Sequence, residues 1–283
     1  MHPVVNHLIQ LQELILIHDE QQKVAAARLN GTHLDQLDQS IRMMTDELPG
    51  DTKNQFIKLC KRDHLVIVPV TDNVCAGCGM SLAISQVQAV RLAREIISCP
   101  NCARMLYVPA SAARRVTRRE PRFGGPRKVG ISRFSAPELM VPALQAEDME
   151  GAIRELAGVI AAAGFVDRAE PLIEAALRRE AILSTVTNHG IAFPHVRHVE
   201  GGGLTLACGL SAKGFRTEDE SKTLTRIVFF IVIPTAASAF YLKLLSGLAE
   251  AFSDAEARKA LSAEKESEKM WKTLIRLTRT TVK

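Results

Sequence analysis

Two cysteine pairs, Cys75-Ala-Gly-Cys78 and Cys99-Pro-Asn-Cys102, stand twenty residues apart. Each pair puts two thiols on one tight turn, and Gly77 and Gly79 give the first turn the backbone freedom it needs. Two such turns bring four sulfurs to one tetrahedral centre, the donor set of a closed, structural zinc site. A redox-active CxxC would not need a duplicate pair. The spacing therefore points to Cys75, Cys78, Cys99 and Cys102 as ligands of one zinc, within a ribbon over residues 65–108. Cys60 and Cys208 stand in apolar settings and read as small core residues.

The residues before the ribbon are helical by pattern. Leu34, Leu37, Ile41, Met44 and Leu48 recur at steps of three and four, the stripe of a helix that packs on another helix. Val4, Leu8, Leu11 and Ile15 share that spacing upstream. Asn30-Gly31 can stop the first helix, and Thr32 can cap the second, with Asp35 in its first turn. The expectation over residues 1–64 is an antiparallel helical hairpin followed by a short helix, capped by Asp51 and running to Lys61. LVIVPV, residues 65–70, then reads as a strand leading into the first cysteine pair.

Past Tyr107 the texture changes. Residues 109–133 carry Arg114, Arg115, Arg118, Arg119, Arg122, Arg127, Lys128 and Arg133 against a single acid, Glu120, with three prolines and a Gly-Gly pair. Such a stretch buries too little apolar surface to order itself and reads as a linker. It is either a solvated spacer or a basic arm for nucleic acid or an acidic partner. Much of the net charge of +5 sits here. No apolar run approaches the ~18 residues that span a bilayer. The first twenty residues lack a basic n-region and a cleavage site, so the expected location is the cytoplasm, where thiols stay reduced.

From residue 134 to 283 two helical patterns, near 150–164 and 168–179, precede three strand-like runs. These are GIAFPHV, LTLACGL and TRIVFFIVIP. The last run is nearly continuous in β-branched and aromatic residues, as in a central strand covered on both faces. More helix follows, at 241–252 and 255–276. The expected fold is multidomain, α plus α/β: a helical hairpin with a C4 zinc ribbon, then an α/β layer domain with a mixed sheet flanked by helices.

In Gly190-Ile-Ala-Phe-Pro-His-Val-Arg-His198 an apolar run meets a proline and then an imidazole. Proline lacks an N–H and cannot continue a central ladder, so the strand is expected to leave the sheet there and present His195 at a surface. A neutral imidazole is nucleophilic near pH 7 and can take a phosphoryl group if N–H donors and a cation balance the charge. Arg197, two residues on, is a candidate cation; Gly190 and the Ser184 and Thr185 hydroxyls are candidate donors. A histidine at a strand end is also commonly a satisfied structural residue, and both readings stand on these residues alone.

Two resemblances add to this. VIVPVTDNVCAGCGMSL and EIISCPNCARMLY resemble the ribbon of bacterial C4-type zinc-ribbon, coiled-coil proteins, which implies zinc and an adaptor role over roughly residues 1–108. Residues 134–275, through REAILST, GIAFPHVR and IVFFIVIP, resemble the enzyme IIA domain of the phosphotransferase system, of the mannitol/fructose and nitrogen-regulatory class. That resemblance implies a phosphohistidine at His195, loaded by the histidine phosphocarrier protein and then passed to a sugar-specific partner or read as a regulatory signal; the attached hairpin and ribbon, which a transport relay does not need, point to regulation of an unknown target. It also exposes departures. Tyr241 falls where the family has a second histidine, leaving a hydroxyl but no titratable cation, and Thr187-Asn188-His189 replaces a glycine-rich turn. His189 or His198 can in principle supply the missing imidazole. The alternative function is a signalling adaptor that binds partners, or nucleic acid through ribbon and linker, without phosphotransfer.

Overall fold

The computed structural model describes residues 3–26, 34–71, 73–108, 129–199, 204–217, 223–234 and 238–282. They form two compact units, one of residues 3–23 and 34–108 and one of residues 129–282. The basic stretch up to Lys128, the turn with Asn30 and Gly31, and the Thr32 cap lie outside the described residues. Among the described residues no helix is long and apolar enough to cross a membrane.

The first unit opens with α1 (Pro3–Ala26), α2 (Leu34–Asp46) and α3 (Gly50–Cys60). The first two helices are antiparallel. His7 of α1 meets Met44 O at 2.6 Å and Glu47 at 3.9 Å, whereas His18, three turns on, meets Asp38 at 3.3 Å. Leu8, Leu11, Leu37 and Leu48 are buried, and Val4, Ile15, Ile41 and Met44 pack beside them, so the stripe seen in the sequence is the seam. The third helix starts two residues earlier than a cap at Asp51 implies. Pro49 occupies the cap position without a side-chain bond, and Asp51 falls in the first turn, where a carboxylate favours the exposed N–H groups.

A small sheet follows, in the order β2 (Val74–Cys75), β1 (Ile67–Thr71), β3 (Met105–Tyr107), with α4 (Ile84–Leu92) between β2 and β3. Hairpin and ribbon are not independent. Val66, Ile67, Met105 and Tyr107 share one apolar cluster with Val5, Leu8 and Leu11. The buried Gln12 amide accepts from Val66 N at 2.6 Å and Ile67 N at 2.7 Å and donates to Ile67 O at 3.0 Å. One side-chain amide thus satisfies backbone groups of β1 that burial would otherwise leave unpaired.

In the second unit a five-stranded mixed sheet runs β4 (Met140–Val141), β7 (Thr205–Phe215), β8 (Thr225–Pro234), then β5 (Ile191–Ala192) and β6 (His195–Val199), both on β8. The β7–β8 pair is antiparallel and the others are parallel. Residues 227–234 are buried without alternation, and because successive side chains point to opposite faces, both faces of β8 are covered. The cover comes from α5 (Met149–Ala162), α6 (Glu170–Glu180), α7 (Ser238–Ser253), α8 (Ala255–Ser262) and α9 (Ser267–Thr278). Asp148 caps α5, accepting from Gly151 N at 2.7 Å. The last helical stretch, continuous by pattern, is broken at 263–266, and Asp254 caps its first half through Glu256 N. Ile131 is buried in this unit's core, so the short 3-10 turn Gly130–Arg133 is packed rather than linker-like.

Candidate functional site

Proline does not take the strand out of the sheet. Ile191 pairs with Ile227, Ala192 with Val228, His195 with Ile231 and Val196 with Val232, so β5 and β6 keep one register on β8 across Phe193-Pro194. Pro194 O even accepts from Ile231 N at 3.0 Å. The interruption is tolerated because β5–β6 is the last strand of the sheet path, where a missing donor costs least. The expected surface presentation of His195 is therefore not what the fold produces: the residue is 1% exposed.

What surrounds that ring is polar and specific. Arg179 Nε donates to His195 Nε2 at 3.2 Å. A guanidinium can only donate, so Nε2 holds the lone pair and the ring proton sits on Nδ1. There the proton reaches Phe193 O at 3.1 Å, and the Tyr241 hydroxyl lies 3.4 Å away. The Tyr241 and His195 rings are 5.2 Å apart, tilted by 38°. Arg179 is itself buried in the last turn of α6, with Nη1 on Leu183 O at 2.7 Å. A cation at a helix C-terminus is favoured by the helix dipole, which offsets part of the cost of burying it.

Arg197, two residues on, stacks its guanidinium on Tyr241, 5.0 Å from the ring centroid. The cation that meets the imidazole is Arg179, which sequence reasoning missed; its only signal was the Arg179-Glu180 pair opening the REAILST block. Thr185 is held in place by Glu180. Its N–H donates to Glu180 Oε1 at 2.7 Å and its hydroxyl to Glu180 Oε2 at 2.8 Å. The Ser184 hydroxyl also reaches Glu180, at 3.2 Å. A carboxylate five residues back is a stronger acceptor than anything else the loop offers, so these hydroxyls serve to fix the turn. That turn feeds β5, since Thr185 O accepts from Phe193 N at 3.2 Å and Thr187 N donates to Ile191 O at 2.8 Å. His189 sits on the turn closed by Gly190 N and Thr187 O; the His198 side chain lies outside the described residues.

In the first unit all four cysteines converge. Their sulfurs lie within 4.8 Å of one another, with Cys75 to Cys102 at 3.8 Å and Cys78 to Cys99 at 3.7 Å. Bonds of ~2.3 Å from a tetrahedral zinc require sulfurs about 3.8 Å apart, so the set fits that ion. The two turns are built alike. Cys75 N donates to Met80 O and Gly79 N to Cys75 O; Cys99 N donates to Arg104 O and Ala103 N to Cys99 O. Burial pushes the Cys75 and Cys99 thiols up, against N–H groups of Gly77 and Cys78 at one and of Cys102 and Asn101 at the other. At Cys78 burial also opposes ionisation, but Asn101 and Met80 N–H, then Cys102 and Cys99, outweigh it and bring the thiol down to about 6.

These arrangements define a protein of two parts: a helical hairpin with a four-cysteine ribbon, and an α/β domain built round a buried histidine–arginine pair. The family model for a C4-type zinc ribbon domain matches residues 74–106. The model for the phosphoenolpyruvate-dependent sugar phosphotransferase system, EIIA 2, matches residues 134–276, half of the chain. The chain belongs to that EIIA family. It is 31% identical over 116 residues to a fructose-specific EIIA component of the phosphotransferase system from Haloferax volcanii, covering 41% of this chain and 75% of the relative. It is 30% identical over 148 residues to a nitrogen regulatory protein from Bradyrhizobium diazoefficiens, covering 51% of this chain and 94% of the relative. Among solved structures, nitrogen regulatory protein IIA-Ntr from Neisseria meningitidis matches with a TM-score of 0.46 at 20% identity, over 50% of this chain and 97% of that one.

Proposed function

We propose that this chain is a cytoplasmic, regulatory phosphohistidine protein that takes a phosphoryl group on His195 Nε2 from the histidine phosphocarrier protein. The observation that carries the reading is the fixed tautomer. Phe193 O holds the Nδ1 proton, so the lone pair stays on Nε2, next to a guanidinium. In the transfer, that lone pair forms the new N–P bond while the donor's N–P bond breaks and its electron pair returns to the donor imidazole. Nδ1 keeps its proton, and the positive charge that develops on the ring is shared with Phe193 O and the Tyr241 hydroxyl. Arg179 turns its N–H groups from the lone pair to the phosphoryl oxygens, which carry the charge that needs balancing. Arg197 and Tyr241 support the site as a stacked pair behind the ring, and Glu180 holds Ser184 and Thr185 so that the loop keeps its shape.

The four cysteines hold one zinc, which ties the two turns of the ribbon together and has no open position for chemistry. With the hairpin, the ribbon serves as the module through which a regulatory target is read.

The test is incubation of the full chain with phosphoenolpyruvate, enzyme I and the phosphocarrier protein of its own source. One acid-labile phosphate per chain is expected, and none in His195→Ala. A second reading, docking without transfer, draws on the 1% exposure of His195 and on a tyrosine where the family places a histidine. Wild type that stays unlabelled beside a fully phosphorylated carrier supports that reading, all the more if Tyr241→His gains the label.

A further inference from the structure

Arg104 closes the second cysteine turn with its backbone and crosses to the first with its side chain. Its carbonyl accepts from Cys99 N at 2.8 Å. Its guanidinium donates to Leu65 O at 2.7 Å through Nε, to Gly77 O at 3.4 Å through Nη1, and to the Asp63 carboxylate through Nη2. Arg104 stands two residues after Cys102 in the second turn. Because the two turns are built alike, Met80 is the matching residue of the first, and it is 40% exposed. Only one of two equivalent positions reaches across.

Gly77 gives the contact a second signature. A Cβ there would lie 2.8 Å from Arg104 Cδ and 3.2 Å from Val68 Cγ1. The space a side chain would take at 77 is filled by the stem of Arg104, so this glycine accommodates a neighbour rather than a positive φ; Gly79, two residues on, is the one with φ at +76°.

Four thiolates around a divalent ion leave a net charge of −2. Resting on the reading that the cysteines hold zinc, we infer that Arg104 is a positioning residue of the metal centre. It locks the two turns at ligand spacing and places a fixed cation against the excess thiolate charge. Residues in this outer position commonly contribute 10–100-fold in metal affinity.

The test is zinc affinity of the full chain by competition with a chromophoric chelator, alongside the absorption of the cobalt-loaded protein. Arg104→Ala is expected to weaken zinc about 10–100-fold while the cobalt complex keeps four-thiolate charge-transfer bands. Arg104→Lys, which keeps the charge but not the fork, should fall between. Gly77→Ala should weaken zinc in the wild-type background and add little in Arg104→Ala, because both changes remove one contact. Asp63→Asn, which breaks only the more exposed ion pair, should stay within about threefold. A wild type that holds no zinc overturns the reading of the cysteines and this inference with it. A wild type that holds zinc, with Arg104→Ala and Arg104→Lys holding it equally well, overturns the inference alone.

Discussion

The Nε of Arg179 lies 3.2 Å from Nε2 of His195, and both side chains are buried. This pairing occupies the imidazole lone pair, and in the proposed transfer the guanidinium goes over to the phosphoryl oxygens. Arg179→Ala should therefore leave the nucleophile in place and remove the charge that stabilises its product. The phosphorylation rate is expected to fall by about 10²–10³-fold, as for loss of one preorganised donor, with Arg179→Lys intermediate. Rates of label transfer from the phosphocarrier protein check this, and a long-range ¹H–¹⁵N spectrum should show the His195 proton on Nδ1.

Gly190 is where the strand that carries His195 is fixed to the sheet. Its φ is +70°, a Cβ there would lie 2.3 Å from Leu224 O, and its carbonyl accepts from Arg226 N at 2.8 Å. Gly190→Ala combines a left-handed conformation with a clash against backbone, which cannot swing aside. A loss on the order of 2–4 kcal/mol is expected for the second unit. Chemical denaturation followed at Trp271, which is in that unit, measures it. Gly158→Ala is the contrast: nothing lies within 4 Å of its Cβ position, on the helix α5, and it should be neutral or mildly stabilising.

Periodicity and cysteine spacing made much of the fold legible. Leu8, Leu11, Leu37 and Leu48 are the seam the spacing implies, and β8 is buried on both faces as its composition implies. Local signals failed where a long-range partner decided the outcome. Pro194 reads as a strand end, yet β8 continues the register beyond it. Ser184 and Thr185 read as phosphate donors, yet Glu180 takes them. Arg197 was the nearer cation in sequence, but Arg179 comes from a helix that only the folded chain brings to the imidazole. Nothing in the pattern of residues 134–195 states that a helix end and a strand start will meet.

Ala103 holds a position that its counterpart gives to glycine. Its φ is +61°, against +76° for Gly79 at the same place in the other turn. A left-handed alanine costs about 1–2 kcal/mol, part of which glycine returns to the unfolded chain as entropy. Ala103→Gly should therefore stabilise the zinc-loaded ribbon by up to about 1 kcal/mol and raise its resistance to chelator; Gly79→Ala should do the opposite. Melting of the full chain with and without a zinc chelator gives both signs.

His64 gives the first unit a dependence on pH. Its ring lies 2.5 Å from the Asp19 carboxylate of α1, so it joins the end of the third helix to the first. The hydrogen bond to Asp19 raises the imidazole pKa; burial pulls the other way, and the charges of Asp19 and Asp63 add to the rise. With the folded value above the unfolded one, the pair contributes fully below the unfolded value of about 6.5 and is lost as pH rises through the folded value. The ring is 44% exposed, so the contribution is screened and belongs at or below about 1 kcal/mol. Asp19→Asn should lower the His64 titration midpoint seen by NMR and flatten the fall in first-unit stability as pH rises above about 6.5. A midpoint that does not move in Asp19→Asn would show that the carboxylate does not hold the ring in its charged form.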